Sequence, residues 1–283
     1  MIVFNFKEII SKTIEDLKTQ NKRVGFVPTM GALHSGHLAL VSKSLKENDI
    51  VVVSVFVNPT QFDKNEDLKK YPRTLNRDIK LLKTLSKSNI VVYAPSVKDI
   101  YGENIEAINF DFDGLENGME GKFRKGHFDG VGTVVKRLLE IVQPHNAYFG
   151  EKDFQQLQII KKLVEKYKLP LNVIGCEIYR EESGLALSSR NERLSLEQKK
   201  AAPAIYKTLK KAKEKFANQS VNKVTKWVVA AFANQKLLQL EYFIIADVKT
   251  LKEINRKSSK KAYRAFIAVY AGEIRLIDNI ALN

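Results

Sequence analysis

Two histidines, separated by two residues, follow the first apolar run of the chain. The segment Val24–His37 reads VGFVPTMGALHSGH and leads into the helix-like stretch Leu38–Glu47. At such a strand-to-helix turn the first amides of the helix are unpaired and carry partial positive charge, which suits a phosphate. Gly36 allows close backbone approach, and His34 and His37 can hydrogen-bond the charge that develops at an attacked phosphorus. The spacing therefore indicates a nucleotidyl-transfer site. A zinc pair is disfavoured because no cysteine or third histidine lies nearby.

A second segment of the same kind, FGEKDFQQL, occupies Phe149–Leu157 and reads as a strand end, a glycine turn and a helix start. Lys152 provides a mobile positive charge for phosphate. Asp153 either accepts hydrogen bonds from ribose hydroxyls or caps the helix. A third segment, GLALSSRN at Gly184–Asn191, places two hydroxyls and an arginine on one loop, a composition that suits a mobile phosphate clamp.

Two glutamines are expected at the same edge of the predicted sheet. Gln61 follows the β-branched run Ile50–Val57, and Gln156 falls on the first turn of the helix after Asp153. Amides recognise hydroxyl and carboxylate groups without adding charge, so the pair suits a small hydroxy-acid. Each glutamine taken alone is more readily explained as a surface residue than as a ligand.

Alternating strand-like and helix-like segments over residues 1–185 predict an α/β fold with a Rossmann-like, doubly wound parallel sheet. Ligands of such sheets bind beyond the carboxyl ends of the strands, where the three motifs are expected. Residues 186–283 predict a second, smaller α+β domain with helices and a short antiparallel sheet. Its predicted helices are Ser195–Phe216 and Val221–Ala233, and its predicted strands are Leu240–Val248, Ala262–Tyr270 and Ile274–Leu282. The charged segment Asp63–Arg77 is predicted to be a mobile loop.

The composition describes an ordinary globular chain with an excess of basic residues. The net charge is +15, and residues 186–283 carry 20 basic and 8 acidic side chains. Lysines alternating with apolar residues in Lys199–Phe216 are typical of a solvated helix face, although an RNA-binding protein or a truncated tRNA synthetase remains an alternative. With one cysteine, Cys176, no signal peptide and no apolar run long enough for a bilayer, we expect a cytoplasmic protein without a membrane or nucleic acid as partner.

The motifs together resemble the pantothenate synthetase (pantoate–β-alanine ligase) family. VPTMGALHSGH, VFVNPTQF, YPRTLNRD, GHFDGVGTVV, AYFGEKDFQQL and GLALSSRN occur in that order. The HxGH and SSR segments belong to a wider nucleotidyltransferase group, whereas NPTQF and GEKDFQQL make the resemblance narrow. It implies an ATP-dependent ligase of coenzyme A precursor synthesis. In this reaction pantoate attacks the α-phosphate of ATP to give pantoyl-adenylate, and β-alanine then displaces AMP.

The resemblance also assigns residues. It implies His37 as proton donor with His34 beside it, Lys152 as a third catalytic residue, Gln61 and Gln156 for pantoate, and Gln61 for β-alanine. The residues implied to contact ATP are Met30, Gly31, Ala32, Leu33, His34, Ser35, Gly36, His37, Gly150, Glu151, Lys152, Asp153, Tyr179, Leu187, Ser188, Ser189 and Arg190. Tyr179 stands where the family usually has a small β-branched residue.

The resemblance further implies Mg²⁺ as companion of the phosphates, with ligands that the sequence does not identify, and a homodimer. A nucleotidyltransferase that leaves the nucleotide on its product is the alternative within enzymes.

Overall fold

The computed structural model describes residues 1–62 and 65–283. These residues form two compact units. The first comprises Met1–Glu151 and Gln156–Glu177, and the second comprises Lys152–Gln155 and Ile178–Asn283. The second unit is therefore discontinuous in sequence, since it includes four residues that lie between two parts of the first. The domain boundary predicted at residue 185 stays a prediction.

The first unit contains a six-stranded parallel sheet flanked by helices. Its strands are β1 Ile2–Phe4, β2 Val24–Thr29, β3 Ile50–Val55, β4 Ile90–Tyr93, β5 Asn146–Gly150 and β6 Asn172–Cys176. They lie in the order β1-β4-β3-β2-β5-β6, and every pair is parallel. The predicted α/β class is confirmed.

The central strands are apolar because both of their faces are covered. Val51, Val52 and Val53 of β3 are fully buried, which is the environment that a continuous β-branched run favours. In β2, a Cβ at Gly25 would lie 2.2 Å from Ser44 Oγ, so glycine is required for the close approach of the following helix.

The strand order reverses between β2 and β5. From β2 the chain continues through β3 to β4 on one side, whereas β5 lies on the other side of β2. In open parallel sheets the crevice beyond the carboxyl ends of two such strands is the usual ligand site. The segment that follows β2 carries the two histidines, and β5 ends at Gly150.

The helices of the first unit complete the predicted alternation and add elements that the sequence did not predict. They are α1 Lys7–Thr19, α2 Ser35–Glu47, α3 Asn65–Lys70, α4 Leu75–Leu85, α5 Val97–Tyr101, α6 Met119–Phe123, α7 His127–Val142 and α8 Phe154–Lys166, of which the first two residues belong to the second unit. The prediction of a loop over Asp63–Arg77 is wrong for α3 and for the start of α4, while residues 63 and 64 lie outside the described residues. No described helix has the length and apolar composition needed to cross a membrane.

The second unit packs three helices with a three-stranded antiparallel sheet. They are α9 Leu196–Ala201, α10 Ala204–Asn218, α11 Val221–Ala233, β7 Gln239–Asp247, β8 Tyr263–Ala271 and β9 Ile274–Ala281. The prediction of a single helix over Ser195–Phe216 is wrong, because the helix is interrupted at Pro203. This residue has no N–H to donate to a continuing helix.

Helix α10 is amphipathic. It buries Ile205, Leu209, Ala212 and Phe216 along one stripe, while most of its lysines lie on the exposed face.

Candidate active site

The two histidines form a capping box at the start of α2, in which each ring accepts a backbone N–H. The Gly36 N–H donates to His34 Nδ1 at 3.1 Å, and the His34 N–H donates to His37 Nδ1 at 3.4 Å. The rings lie side by side, with centroids 4.1 Å apart and planes tilted by 34°. Because both Nδ1 atoms accept a hydrogen, each neutral ring carries its own proton on Nε2. The pair therefore caps α2, and in each neutral ring Nε2 is the N–H donor.

The loop between β2 and α2 is held by a buried carboxylate. Asp78 of α4 is fully buried and accepts the N–H groups of Ala32 at 3.1 Å and Leu33 at 2.8 Å, together with the Thr74 hydroxyl at 3.2 Å. The loop adopts a left-handed backbone at Gly31 (φ 79°) and Ala32 (φ 50°). A Cβ at Gly31 would lie 2.9 Å from Val55 Cγ1 and 3.1 Å from Asp78 Oδ2, so the crowding and the positive φ together favour glycine.

Gln61 lies beside this loop on a 3₁₀ turn, Pro59–Gln61, that follows β3. Its Oε1 accepts from Nδ2 of the buried Asn58 at 3.2 Å, which orients the amide so that Nε2 is its donor. Nε2 lies 2.7 Å from the Met30 sulphur. The structure thus brings Gln61 and Met30 together, and Met30 is joined directly to the histidine loop.

The main chain of Gln61 is fixed from α6 and α7. Its carbonyl accepts from His127 Nδ1 at 2.9 Å and from the Arg124 guanidinium at 3.4 Å. A Cβ at Gly130 would lie 2.1 Å from the Thr60 carbonyl oxygen, so glycine is needed for α7 to approach the turn. The main chain of Gln61 is therefore held by Arg124 and His127, and its side chain is oriented by Asn58.

Three further predicted residues of the first unit lie where β5 ends. Gly150 is the last residue of β5, and Glu151 begins the following 3₁₀ turn. Gln156 is the third residue of α8, so its predicted place on the first helical turn is confirmed. All three belong to the first unit, as do Met30–His37 and Gln61.

Lys152 and Asp153 belong to the second unit. Lys152 Nζ lies 3.7 Å from Asp153 Oδ1, and the Asp153 side chain is 48% exposed, which leaves its carboxylate accessible to hydroxyl groups. The Lys152 carbonyl accepts from Nδ2 of Asn279 in β9 at 2.9 Å. The backbone of the predicted catalytic lysine is thus anchored to the antiparallel sheet.

The residues of the predicted clamp follow a small hairpin. Arg180 and Ala186 form an antiparallel bridge, and the Leu187 N–H donates to the Tyr179 carbonyl at 3.1 Å. Ser188 then caps a 3₁₀ turn, Ser189–Arg193, by accepting the Arg190 N–H at 3.3 Å. Tyr179 is exposed.

Asp78, Asn58, His127 and Asn279 were missing from the sequence-based assignment. Asp78 ends the quoted motif YPRTLNRD and His127 lies in GHFDGVGTVV, so their motifs were noticed although their roles were not. Residues 1–62 and 65–283 contain no cluster of three or more histidine, cysteine, aspartate or glutamate side chains that could hold a metal ion.

Comparison with known proteins identifies the family. A family model described as pantoate–β-alanine ligase matches residues 2–281. The chain belongs to the pantoate–β-alanine ligase family. Its curated relatives include the pantothenate synthetase of Christiangramia forsetii, 56% identical over the full length of both chains, and that of Flavobacterium psychrophilum, 54% identical over the same extent.

Solved structures of family members share the fold. The pantothenate synthetase of Thermus thermophilus is 39% identical, with a TM-score of 0.91 over 100% of this chain and 99% of that one. The pantoate–β-alanine ligase of Francisella tularensis, solved with β-γ ATP and β-alanine, is 37% identical, with a TM-score of 0.79 over 100% of this chain and 98% of that one. The predicted family and fold are confirmed.

Proposed function

We propose that the chain joins pantoate to β-alanine in two steps at the expense of ATP. A carboxylate oxygen of pantoate attacks the α-phosphorus of ATP, and the bond to the bridging oxygen breaks to release pyrophosphate. The neutral amine of β-alanine then attacks the acyl carbon of pantoyl-adenylate. AMP leaves with its electron pair, and the amine proton passes to solvent. Membership of the ligase family supports this reaction. The observation that carries its first step is the pair of hydrogen bonds that His34 Nδ1 and His37 Nδ1 accept at the start of α2.

The tautomer of the histidines specifies how they act. A neutral ring with its proton on Nε2 stabilises developing negative charge as a hydrogen-bond donor. Loss of that proton would leave an imidazolate. In an imidazolium, Nδ1 would also carry a proton, which would face the backbone N–H from which Nδ1 now accepts a hydrogen bond. We therefore propose His34 and His37 as neutral donors to the α-phosphate, in place of the proton-donor role that resemblance assigned to His37.

Gln61 is proposed to bind pantoate and to meet β-alanine, with Gln156 as the second amide for pantoate. The fixed orientation of Gln61 supports this role, because Nε2 is held as a donor suited to a carboxylate or hydroxyl oxygen. A donor without charge binds the substrate carboxylate while leaving it nucleophilic.

Lys152, as the third catalytic residue, is proposed to contact the phosphates that become pyrophosphate. The residues proposed to contact ATP remain Met30, Gly31, Ala32, Leu33, His34, Ser35, Gly36, His37, Gly150, Glu151, Lys152, Asp153, Tyr179, Leu187, Ser188, Ser189 and Arg190. Mg²⁺ is proposed to enter with ATP as part of the substrate, where phosphate oxygens and water supply most of its ligands. We also propose a cytoplasmic homodimer, as the family resemblance and the single cysteine suggest.

The reaction is tested by measuring AMP while each substrate is omitted in turn. The expected result is free AMP only when pantoate, β-alanine, ATP and Mg²⁺ are all present, and pantoate-dependent exchange between ATP and pyrophosphate without β-alanine. A stable adenylylated product in place of free AMP would indicate a nucleotidyltransferase instead. Absence of AMP with the complete mixture would refute the proposal.

A further inference from the structure

The short segment that contains Lys152 is gripped at two points by the antiparallel sheet of its own unit. At its start, the Lys152 carbonyl accepts from Asn279 Nδ2 at 2.9 Å. Two residues later, the Phe154 ring packs against Phe266 with a centroid distance of 6.0 Å and lies 4.0 Å beneath the guanidinium carbon of Arg264. The position of Lys152 is thus set by β8 and β9.

Asn279 has one possible orientation in this arrangement. Its Oδ1 accepts from the Arg264 guanidinium, which can only donate, so Nδ2 must face the Lys152 carbonyl. The Asn279 N–H donates to Asp278 Oδ1 at 2.8 Å, and the residue is 1% exposed. A buried amide with both ends committed holds its partners rigidly.

The same strand end also holds the hairpin that precedes the proposed clamp. Arg180 makes a bidentate pair with Asp278 at 2.6 and 2.9 Å, and it donates to the Gly184 carbonyl at 3.2 Å and the Asn279 carbonyl at 3.4 Å. Its guanidinium carbon lies 3.6 Å from the centroid of the Tyr206 ring. Arg180 therefore ties the hairpin to the residue pair Asp278–Asn279.

We propose that Asn279 is a positioning residue for Lys152, and that the Arg180–Asp278–Asn279 network holds in register the two segments that contact the phosphates of ATP. This inference rests on the proposed function, specifically on the role of Lys152. In this role Asn279 acts without contacting substrate. It acts by fixing the backbone from which the lysine side chain reaches the phosphate, and errors of about 1 Å in such placement cost roughly 100-fold in rate.

The test is Asn279→Asp, which conserves volume and the acceptor for Arg264 but places a carboxylate oxygen against the Lys152 carbonyl. We expect pantoate-dependent ATP–pyrophosphate exchange to slow at least about 10-fold while the KM for β-alanine stays unchanged. In a Lys152→Ala background the same substitution should cause no more than about a two-fold further loss, because a residue that acts through the lysine has nothing left to position.

Asn283→Asp is the matched control. Asn283 also donates Nδ2 to a backbone carbonyl, that of Lys261 at 2.9 Å, and accepts an amide, that of Tyr263 at 2.8 Å, but it touches no residue proposed to bind ATP. The Asn283→Asp variant should catalyse pantoate-dependent ATP–pyrophosphate exchange at the wild-type rate. Thermal unfolding of each variant establishes that it is folded, and Asn279→Ser replaces Asn279→Asp if the latter is not.

Equal losses in the wild-type and Lys152→Ala backgrounds would overturn the positioning role, and so would a wild-type rate for Asn279→Asp. A Lys152→Ala variant that exchanges at the wild-type rate would refute the role of Lys152 in the proposed function, and with it this inference. The rate of Lys152→Ala alone tests the role of the lysine, whereas the positioning role is tested by adding Asn279→Asp. The failure of the proposed function and the failure of this inference are therefore distinguishable.

Discussion

Replacing Asp78 by asparagine should displace the loop that carries His34 and His37. The carboxylate accepts two backbone amides, those of Ala32 and Leu33, from a fully buried position. Asparagine keeps the shape and one acceptor oxygen, but its NH₂ group faces the other amide. One charge-assisted hydrogen bond is lost, and a buried N–H is left without its acceptor.

The magnitude follows from these contacts. A hydrogen bond to a charged group contributes about 1.5–3 kcal/mol, so the loss of one is about 2 kcal/mol. The loop also carries strain at Ala32, whose left-handed backbone (φ 50°) costs a non-glycine residue about 1 kcal/mol or more. With the bonds that offset this strain weakened, the loop should leave its position. About 2 kcal/mol corresponds to roughly a 30-fold fall in the equilibrium constant between the loop that holds His34 and His37 in place and the displaced loop.

The assay is pantoate-dependent exchange between ATP and pyrophosphate, which isolates the first chemical step. Asp78→Asn should slow this exchange by up to about 30-fold. The matched control is Asp49→Asn, since Asp49 also accepts a backbone amide, that of Arg23 at 2.7 Å, but is exposed. It should stay within about two-fold of wild type, because exposed hydrogen bonds are readily replaced by water. An Asp78→Asn variant that exchanges as fast as this control would refute the reasoning.

Three other changes test the site and its surroundings. His37→Ala should slow adenylation by at least about 100-fold, whereas His37→Gln, which restores an N–H donor near Nε2, should retain at least about ten times the rate of the alanine variant. Gln61→Glu should raise the KM for pantoate at least about 10-fold through charge repulsion, while Gln20→Glu on the exposed surface should not. Burial raises the pKa of the Cys176 thiol to about 11, so at pH 8 it is protonated and iodoacetamide should alkylate it only after unfolding.

Each of these outcomes has a clear opposite. Equal rates for the glutamine and alanine variants of His37 would favour proton transfer over neutral hydrogen bonding. An unchanged pantoate KM in Gln61→Glu would place the substrate elsewhere. Alkylation of the native thiol at the rate seen in urea would show that Cys176 is accessible.

The sequence predicted elements that carry their own periodicity and missed those that depend on distant partners. The buried run Ile50–Val57 and the histidine turn are local signals, and both were predicted. Strand β1 has three residues, too few for a pattern, and forms by pairing with β4. Pro203 is a local signal for a helix break within a pattern that is otherwise helical.

The supporting residues of the site could not be predicted from spacing. Asp78 finds its amide partners 45 and 46 positions earlier in the chain, and Asn279 bonds a carbonyl 127 positions away. Such a polar residue looks like any surface residue until the fold buries it. The motifs therefore predicted the groups that are proposed to contact substrates. The residues that fix the positions of these groups became visible only in the fold.

The discontinuity of the second unit bears on how members of this family can exchange parts. Lys152–Gln155 and Ile178–Asn283 form one unit although the first unit supplies the chain between them. A recombination crossover within residues 156–177 would therefore pair the lysine of one parent with the Asn279, Arg264 and Phe266 of the other. Chimaeras joined there should function only when both parents share these contacts. A crossover before residue 146 instead takes Lys152 and the three residues that contact its segment from the same parent.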